Sequence, residues 1–518
     1  MSVLHDLAIG WMHVFQPHDL MMLILGILVG MLVSIMPGLG LVMAVILALP
    51  FTYKMPIEPA VILLTAIYFS GTYGGCFTTI LYRIPGEPND VPLLWDGYTM
   101  GQREGAAKPL GWALVAALIG GLVSSTVMVA VTQPLTDVAM KFSSEDYFAA
   151  IVFGMTTVVS LAGKSLVKAF ISLSLGLLVA CIGVDSIYGV SRYTFGVPIL
   201  GDGVQLVAVL VGMYGLGEVF KRVGQGLALK GSMAGRAVKV QTSFPRWREL
   251  WGVRGTILRS SALGTLLGVV PGAGATITSF ICYGVEKQYG RERDKLGSGH
   301  PSGIVAPQIG STASVAGHLI PMLTLGIPGS AATAVILAAF LLHGVQPGPM
   351  LLTDPASKVT VYTILASMFV AVIGMCLVGF FWIRLVVRVL LIPQYLLNTI
   401  VVLFCLVGAY ADRNSLSDVW MIVIFGILGY LFEKYRFPIS PMVLGAILGP
   451  IGEANFMRSM VVHRGEWTAP FTEPLSGTLL AMAGFAVLYP LLQRLLHRLR
   501  RRGRGAALSA AASGPPAP

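Results

Sequence analysis

Charge is scarce in this chain. Asp, Glu, Lys and Arg make up 11% of its 518 residues, against roughly 25% in an ordinary soluble domain. A water-facing surface of that size cannot be built from so few, so the composition is that of a membrane protein. Cysteine is sparse too. Cys76, Cys181, Cys282, Cys376 and Cys405 all sit in apolar runs without C-x-x-C spacing. That pattern excludes a disulfide framework and a zinc site, leaving small packing residues. The H-E-x-x-H and G-x-S-x-G motifs of hydrolases are missing. Gly201-Asp202-Gly203 is only a fragment of the G-x-G-D pattern of intramembrane aspartyl proteases, because Ile199 takes the first Gly position. An intramembrane enzyme is therefore the weaker alternative. No Lys or Arg precedes Lys54, so the start of the chain lacks the basic n-region of a cleavable secretory signal.

What the chain has is apolar length. Hydrophobic residues make up 55% of it, and runs of about 20 recur, enough to cross a hydrocarbon core. The expected fold is an all-α polytopic membrane protein with about 11 to 14 transmembrane segments. The runs at 20–49, 257–283 and 304–342 are long and interrupted by Pro and Gly, so each is expected to split in two. The net charge of +11 is concentrated in two places. Between the halves, Lys221, Arg222, Lys230, Arg236, Lys239, Arg246, Arg248, Arg254 and Arg259 face only Glu249 among acids. The tail carries Arg494, Arg498, Arg500, Arg501, Arg502 and Arg504. Both clusters flank membrane spans, so orientation explains them and nucleic-acid binding is not implied. By the positive-inside rule both are cytoplasmic, and the N-terminus, with Asp6 and Asp19, is periplasmic.

The chain also repeats itself. GMLVSIMPGLG at 30–40 and GTLLGVVPGAG at 264–274 share the pattern G-x-L-x-x-x-x-P-G-x-G. Ile84-Pro85-Gly86 is echoed by Ile327-Pro328-Gly329, and Ser165-Leu166 by Ser415-Leu416. The divisions follow: residues 1–223 form the first half, 224–253 a basic cytoplasmic linker with an interfacial character, and 254–474 the second half. An extra helix with a basic end follows at 475–504, then a disordered small-residue tail at 505–518. With the N-terminus outside and the linker inside, the second half runs inverted relative to the first.

Paired Pro/Gly interruptions in corresponding positions of two membrane halves point to a transporter's binding site. Pro donates no hydrogen bond, and a helix restarting after it presents free N–H groups that attract anions. The candidate substrate contacts are Gly38, Leu39 and Gly40 at the first break, Gly86 at the second, Gly272, Ala273, Gly274 and Thr276 at the third, and Gly329 and Ser330 at the fourth. Arg83 precedes the second break. It either clamps a substrate carboxylate bidentately or pairs with Glu87 or Asp90 at the interface. Gln308, Ser311, Thr312 and Ser314 form a polar, small-residue run that either ligates Na⁺ or packs helices closely. His318 either carries a proton or hydrogen-bonds to a neighbouring helix. No cofactor and no structural metal is implied, only a coupling ion, Na⁺ or H⁺.

These segments resemble the large membrane subunit of tripartite tricarboxylate transporters. The resemblance rests on MPGLGLVMAVILALPFTY (36–53), YGGCFTTILYRIPG (73–86), the Asp96-Gly97-Tyr98 turn, VPGAGATITSFICYGVEK (270–287), IPMLTLGIPGSAATAVILAAFLLHGVQPGP (320–349) and FPISPMVLGAILG (437–449). It implies an ion-gradient-driven secondary importer of di- or tricarboxylate-type anions in a bacterial inner membrane. It also implies two partners, a small four-helix membrane subunit and a periplasmic substrate-binding protein, and an elevator-like movement by analogy. Two departures bear on substrate. Members of that family carry P-E-A-A-N-N-A where this chain has Pro307-Gln308-Ile309-Gly310-Ser311-Thr312-Ala313, and Asn where it has Arg83. A transporter or channel acting without a binding protein is the alternative.

Overall fold

The structure is a computed structural model that describes residues 3–36, 39–161, 165–185, 189–224, 243–389, 394–413 and 415–488. It is almost wholly helical. The first stretch holds α1 (Val3–Val14), α2 (Pro17–Ile35), α3 (Gly40–Thr52), α4 (Ile57–Gly74) and α5 (Cys76–Tyr82). A short 3₁₀ turn and a π-helical turn, Leu94–Tyr98, lead to α6 (Thr99–Glu104). Then come α7 (Ala107–Ala139), α8 (Ser144–Leu161), α9 (Leu166–Ala180), α10 (Leu206–Leu210) and α11 (Gly217–Gly224). Beyond the linker lie α12 (Trp247–Gly252), α13 (Arg254–Val269), α14 (Gly274–Tyr289), α15 (Ser302–Leu325) and α16 (Ala331–Leu342). The chain continues through α17 (Met350–Thr353), α18 (Pro355–Val389), α19 (Gln394–Arg413), α20 (Leu416–Lys434), α21 (Ile439–Val462) and α22 (Ala469–Thr472). A two-residue strand pair, Gly183–Val184 with Ser191–Arg192, is the sole sheet among the described residues.

Five helices among the described residues are long and apolar enough to cross a membrane, and five shorter apolar helices accompany them. This is an all-α polytopic membrane protein. Each of the three long Pro/Gly-broken runs is two helices, because Pro removes a rung of the hydrogen-bond ladder where the chain must turn. The described parts of the two G-x-L-x-x-x-x-P-G-x-G copies fold alike. Both helices end in an extended residue, Met36 (φ −78°, ψ 112°) and Val270 (φ −78°, ψ 116°). Both restart at a glycine with positive φ, Gly40 at 72° and Gly274 at 62°, a conformation that penalises any side chain. Pro37 and Gly38 lie outside the described residues.

Helix contacts repeat as well. Helix α2 packs on α4 as α13 packs on α15, and α7 lies on α15 as α18 lies on α4. Small residues allow both close pairs. A Cβ on Gly30 would strike Ile67 backbone, and one on Gly268 would lie 2.9 Å from Gly317 Cα. Helices α7 and α18 run antiparallel. Tyr362, near the start of α18, reaches Gln133 near the end of α7 at 3.5 Å. Val372 sits over Gly121 and Gly379 over Leu114. At the rim, Asp6 of α1 and Lys358 of α18 pair at 2.6 Å. Most of the basic linker, residues 225–242, and the tail beyond 488 lie outside the described residues. Helix α12, which ends the linker, exposes Trp247 and Trp251, residues that favour a membrane–water interface.

Candidate functional site

The breaks converge on one cavity of about 310 Å³. The restart of α3 lines it with Leu41 and Val42, and the segment after Gly86 with Glu87 and Asn89. The restart of α14 contributes Gly272 to Ile277, and the start of α16 contributes Ser330 to Ala332. Tyr68, Tyr214 and Ser440 add hydroxyls, while Val158, Val443 and Leu444 form apolar wall. Among the described residues no Lys, Arg or His lines it.

The first half closes its break on itself. The Leu41 N–H donates to a Glu87 carboxylate oxygen, so Glu87 caps α3 from 46 residues away. The Glu87 N–H donates to Asp90 Oδ2 at 3.0 Å. Asn89 carries the link to the other half, its carbonyl accepting from Ser279 Oγ of α14 at 2.6 Å. In the second half the two breaks join directly, because the Gly272 N–H donates to the Gly329 carbonyl at 3.0 Å. Ser330 caps α16 with a reciprocal pair to Thr333, 3.2 Å and 2.8 Å. Among the described residues Ala273 gives α14 no side-chain cap, and the first N–H groups of a helix have no intrahelical partner; the residues that carry them, Gly274 to Ile277, line the cavity.

The structure brings five of the eleven candidate substrate contacts to the cavity wall. Gly272, Ala273, Gly274, Thr276 and Ser330 line the cavity. Leu39 is buried as the residue before α3, and Gly40 stands beside Glu87, where a Cβ would lie 3.3 Å from both carboxylate oxygens. Gly86 packs on Gly75 and donates its N–H to Thr79 Oγ1 at 3.3 Å. Gly329 presses on His318, whose Cα a Cβ would approach to 2.7 Å. Gly38 is outside the described residues.

Arg83 is elsewhere. It is exposed, holds φ 59° as the residue that ends α5, and lays its guanidinium 5.5 Å from the centre of the Tyr98 ring. No ion pair joins it to Glu87 or Asp90. Its counterpart in the second half, Gly326 at φ 73°, ends α15 in the same left-handed turn. The Ile84 N–H returns to Thr78 O as the Ile327 N–H returns to Pro321 O, so both helices close with the same kind of backbone bond.

The polar run in α15 is fully enclosed. Gln308 Nε2 donates to Thr72 O and Thr312 Oγ1, both at 3.2 Å, and its Oε1 accepts from Cys76 Sγ at 2.7 Å. Ser311 and Ser314 return their hydroxyls to carbonyls three residues back. His318 alone of this group connects to the cavity. Its Nδ1 meets Tyr68 OH at 2.7 Å, and the same hydroxyl meets Ser330 Oγ at 2.9 Å. No cluster of three or more His, Cys, Asp or Glu suited to a metal occurs among the described residues.

Sequence reasoning did not single out Tyr68, Tyr214, Ser440 or the capping role of Glu87. It did mark the Asp96 turn, and the structure gives that turn a task. The buried Asp96 carboxylate accepts from the N–H groups of Gly297, Gly299 and His300 at 2.8–2.9 Å and from Tyr283 OH at 3.0 Å. It thereby fastens the α14–α15 loop to the π-helical turn. Burial in that loop lowers the pKa of the His300 imidazole.

An all-α polytopic membrane protein whose broken helices meet at one cavity belongs with membrane transport proteins. The chain is a member of the tripartite tricarboxylate transporter TctA family, whose description it matches over residues 20–444. It is similar to an uncharacterized 52.8 kDa protein in the TAR-I ttuC′ 3′ region of Agrobacterium vitis, 32% identical over 495 residues, covering 95% of this chain and 97% of that one. A second Agrobacterium vitis protein, from the TAR-II ttuC′ 3′ region, is 35% identical over 229 residues, or 44% of this chain and 94% of that one. No solved structure matches.

Proposed function

We propose that this chain is the membrane-spanning carrier of an ion-gradient-driven system that imports organic carboxylates. The convergence of the breaks on one cavity carries this reading. The α14 N-terminus presents backbone donors there, and Ser330, Tyr68 and Tyr214 add hydroxyls. Donors of this kind bind a carboxylate without a permanent cation to release. The carrier works in the bacterial inner membrane with a small four-helix membrane subunit and a periplasmic binding protein. Membership of a tripartite family, which implies partner subunits, supports that set.

Two inverted halves, 1–223 and 254–474, joined by the 224–253 linker, fit the antiparallel α7–α18 pair and the repeated helix contacts. The N-terminus is periplasmic, and the linker and C-terminus are cytoplasmic. The coupling ion is Na⁺ or H⁺. Gln308, Ser311, Thr312, Ser314 and His318 remain the residues proposed for it, and among the described residues the Ser330–Tyr68–His318 chain connects that group with the cavity. Counterflow in proteoliposomes tests the reading. Exchange that needs the binding protein supports a tripartite carrier, whereas gradient-independent flux without it marks a channel.

A further inference from the structure

The two halves place chemically different groups at equivalent positions around the cavity. Glu87 lies three residues after Ile84, and Ser330 lies three after Ile327, so the repeat pairs a carboxylate with a hydroxyl. Gly40 and Gly274 are paired likewise, three residues after Pro37 and Pro271. At Gly40 the direction of a Cβ leads to the Glu87 carboxylate, 3.3 Å away. At Gly274 the same direction meets nothing within 4 Å and opens into the cavity. The first half thus shows what its helix restart binds, a carboxylate on the Leu41 N–H. The second half keeps the corresponding donors for another molecule.

We propose that the cavity takes a substrate with a single carboxylate, seated on the α14 restart, and that Glu87 fills the seat a second carboxylate would need. This rests on the reading of the cavity as a carboxylate site and narrows it against the di- or tricarboxylate expectation. Two further observations agree. Among the described residues no cationic side chain lines the cavity, so a second or third negative charge would be buried there without a partner. The remaining wall includes Val158, Val443 and Leu444, which suits an uncharged remainder. The volume of about 310 Å³ lies at the low end of ligand pockets, so the substrate is small.

Melting-temperature titrations of the full chain in lipid nanodiscs test this, with butyrate, succinate and tricarballylate as probes of one, two and three carboxylates. Butyrate should bind the wild type about tenfold more tightly than either polyanion. Glu87→Ala opens the first seat and should shift the succinate-to-butyrate preference about tenfold toward succinate. Succinate or tricarballylate binding the wild type as tightly as butyrate overturns the single-carboxylate proposal while leaving the carboxylate reading standing. An unchanged preference in a folded Glu87→Ala overturns it too. If the variant does not fold, the wild-type ranking decides alone. If none of the three probes shifts the wild type, the carboxylate reading itself falls.

Discussion

Two glycines two residues apart should respond to the same substitution in different ways. Gly272 holds φ 83°, and a Cβ there would lie 2.8 Å from Val158 Cα on α8. Gly272→Ala therefore incurs about 1–2 kcal/mol for the left-handed backbone. Pushing against the α8 backbone adds about 1–3 kcal/mol, since a main chain yields less readily than a side-chain tip. Displacing the break also strains the Gly272–Gly329 hydrogen bond, worth about 0.5–1.5 kcal/mol. Gly274→Ala meets only the first of these, because nothing lies within 4 Å of its Cβ. Its methyl instead enters the cavity beside the α14 donors. Thermal unfolding of both purified variants should show Gly272→Ala clearly less stable than wild type and Gly274→Ala only slightly so. Carboxylate uptake should fall in both, in Gly274→Ala without loss of folded protein. A Gly272→Ala variant as stable as wild type, or wild-type uptake by Gly274→Ala, would refute this account of the break.

Asp96→Ala removes the acceptor of four hydrogen bonds. Because the loop is partly exposed and water can replace some of them, a loss of about 2–4 kcal/mol is expected, read as a lowered melting temperature and faster proteolysis within 290–301. Arg83→Lys should transport nearly as well as wild type, since Arg83 is exposed and a Lys keeps the charge over Tyr98; a large uptake defect would return Arg83 to the substrate path. Cysteines introduced at Ser2, Ser232 and Ser513 should label from the periplasmic side only at position 2. A cytoplasmic position 2 would remove the charge argument for inverted halves.

The breaks were legible because proline and glycine act locally: a missing N–H and a positive φ interrupt a helix wherever they fall. The 234-residue spacing of the two Pro-Gly motifs even anticipated matching backbone angles at Gly40 and Gly274. The cavity's other walls were not legible. Tyr68 meets His318 across 250 residues of sequence, and Tyr214 meets Ser440 across 226. No periodicity encodes such encounters, which depend on how whole helices pack. Glu87 was visible as an acid beside Arg83, but its partner is the Leu41 N–H, a backbone group without sequence identity. Arg83 carried a signal that went unread. The offset that aligns the Ile-Pro-Gly motifs pairs it with Gly326, and a glycine at a helix end marks a left-handed cap.

Accumulation of a labelled carboxylate in proteoliposomes holding this chain and its small subunit, with the binding protein outside, tests the central claim most directly. Uptake against the substrate gradient, present when an inward Na⁺ or H⁺ gradient is imposed and lost when that gradient is collapsed, is the expected result. Equilibration that ignores both the gradient and the binding protein would contradict it.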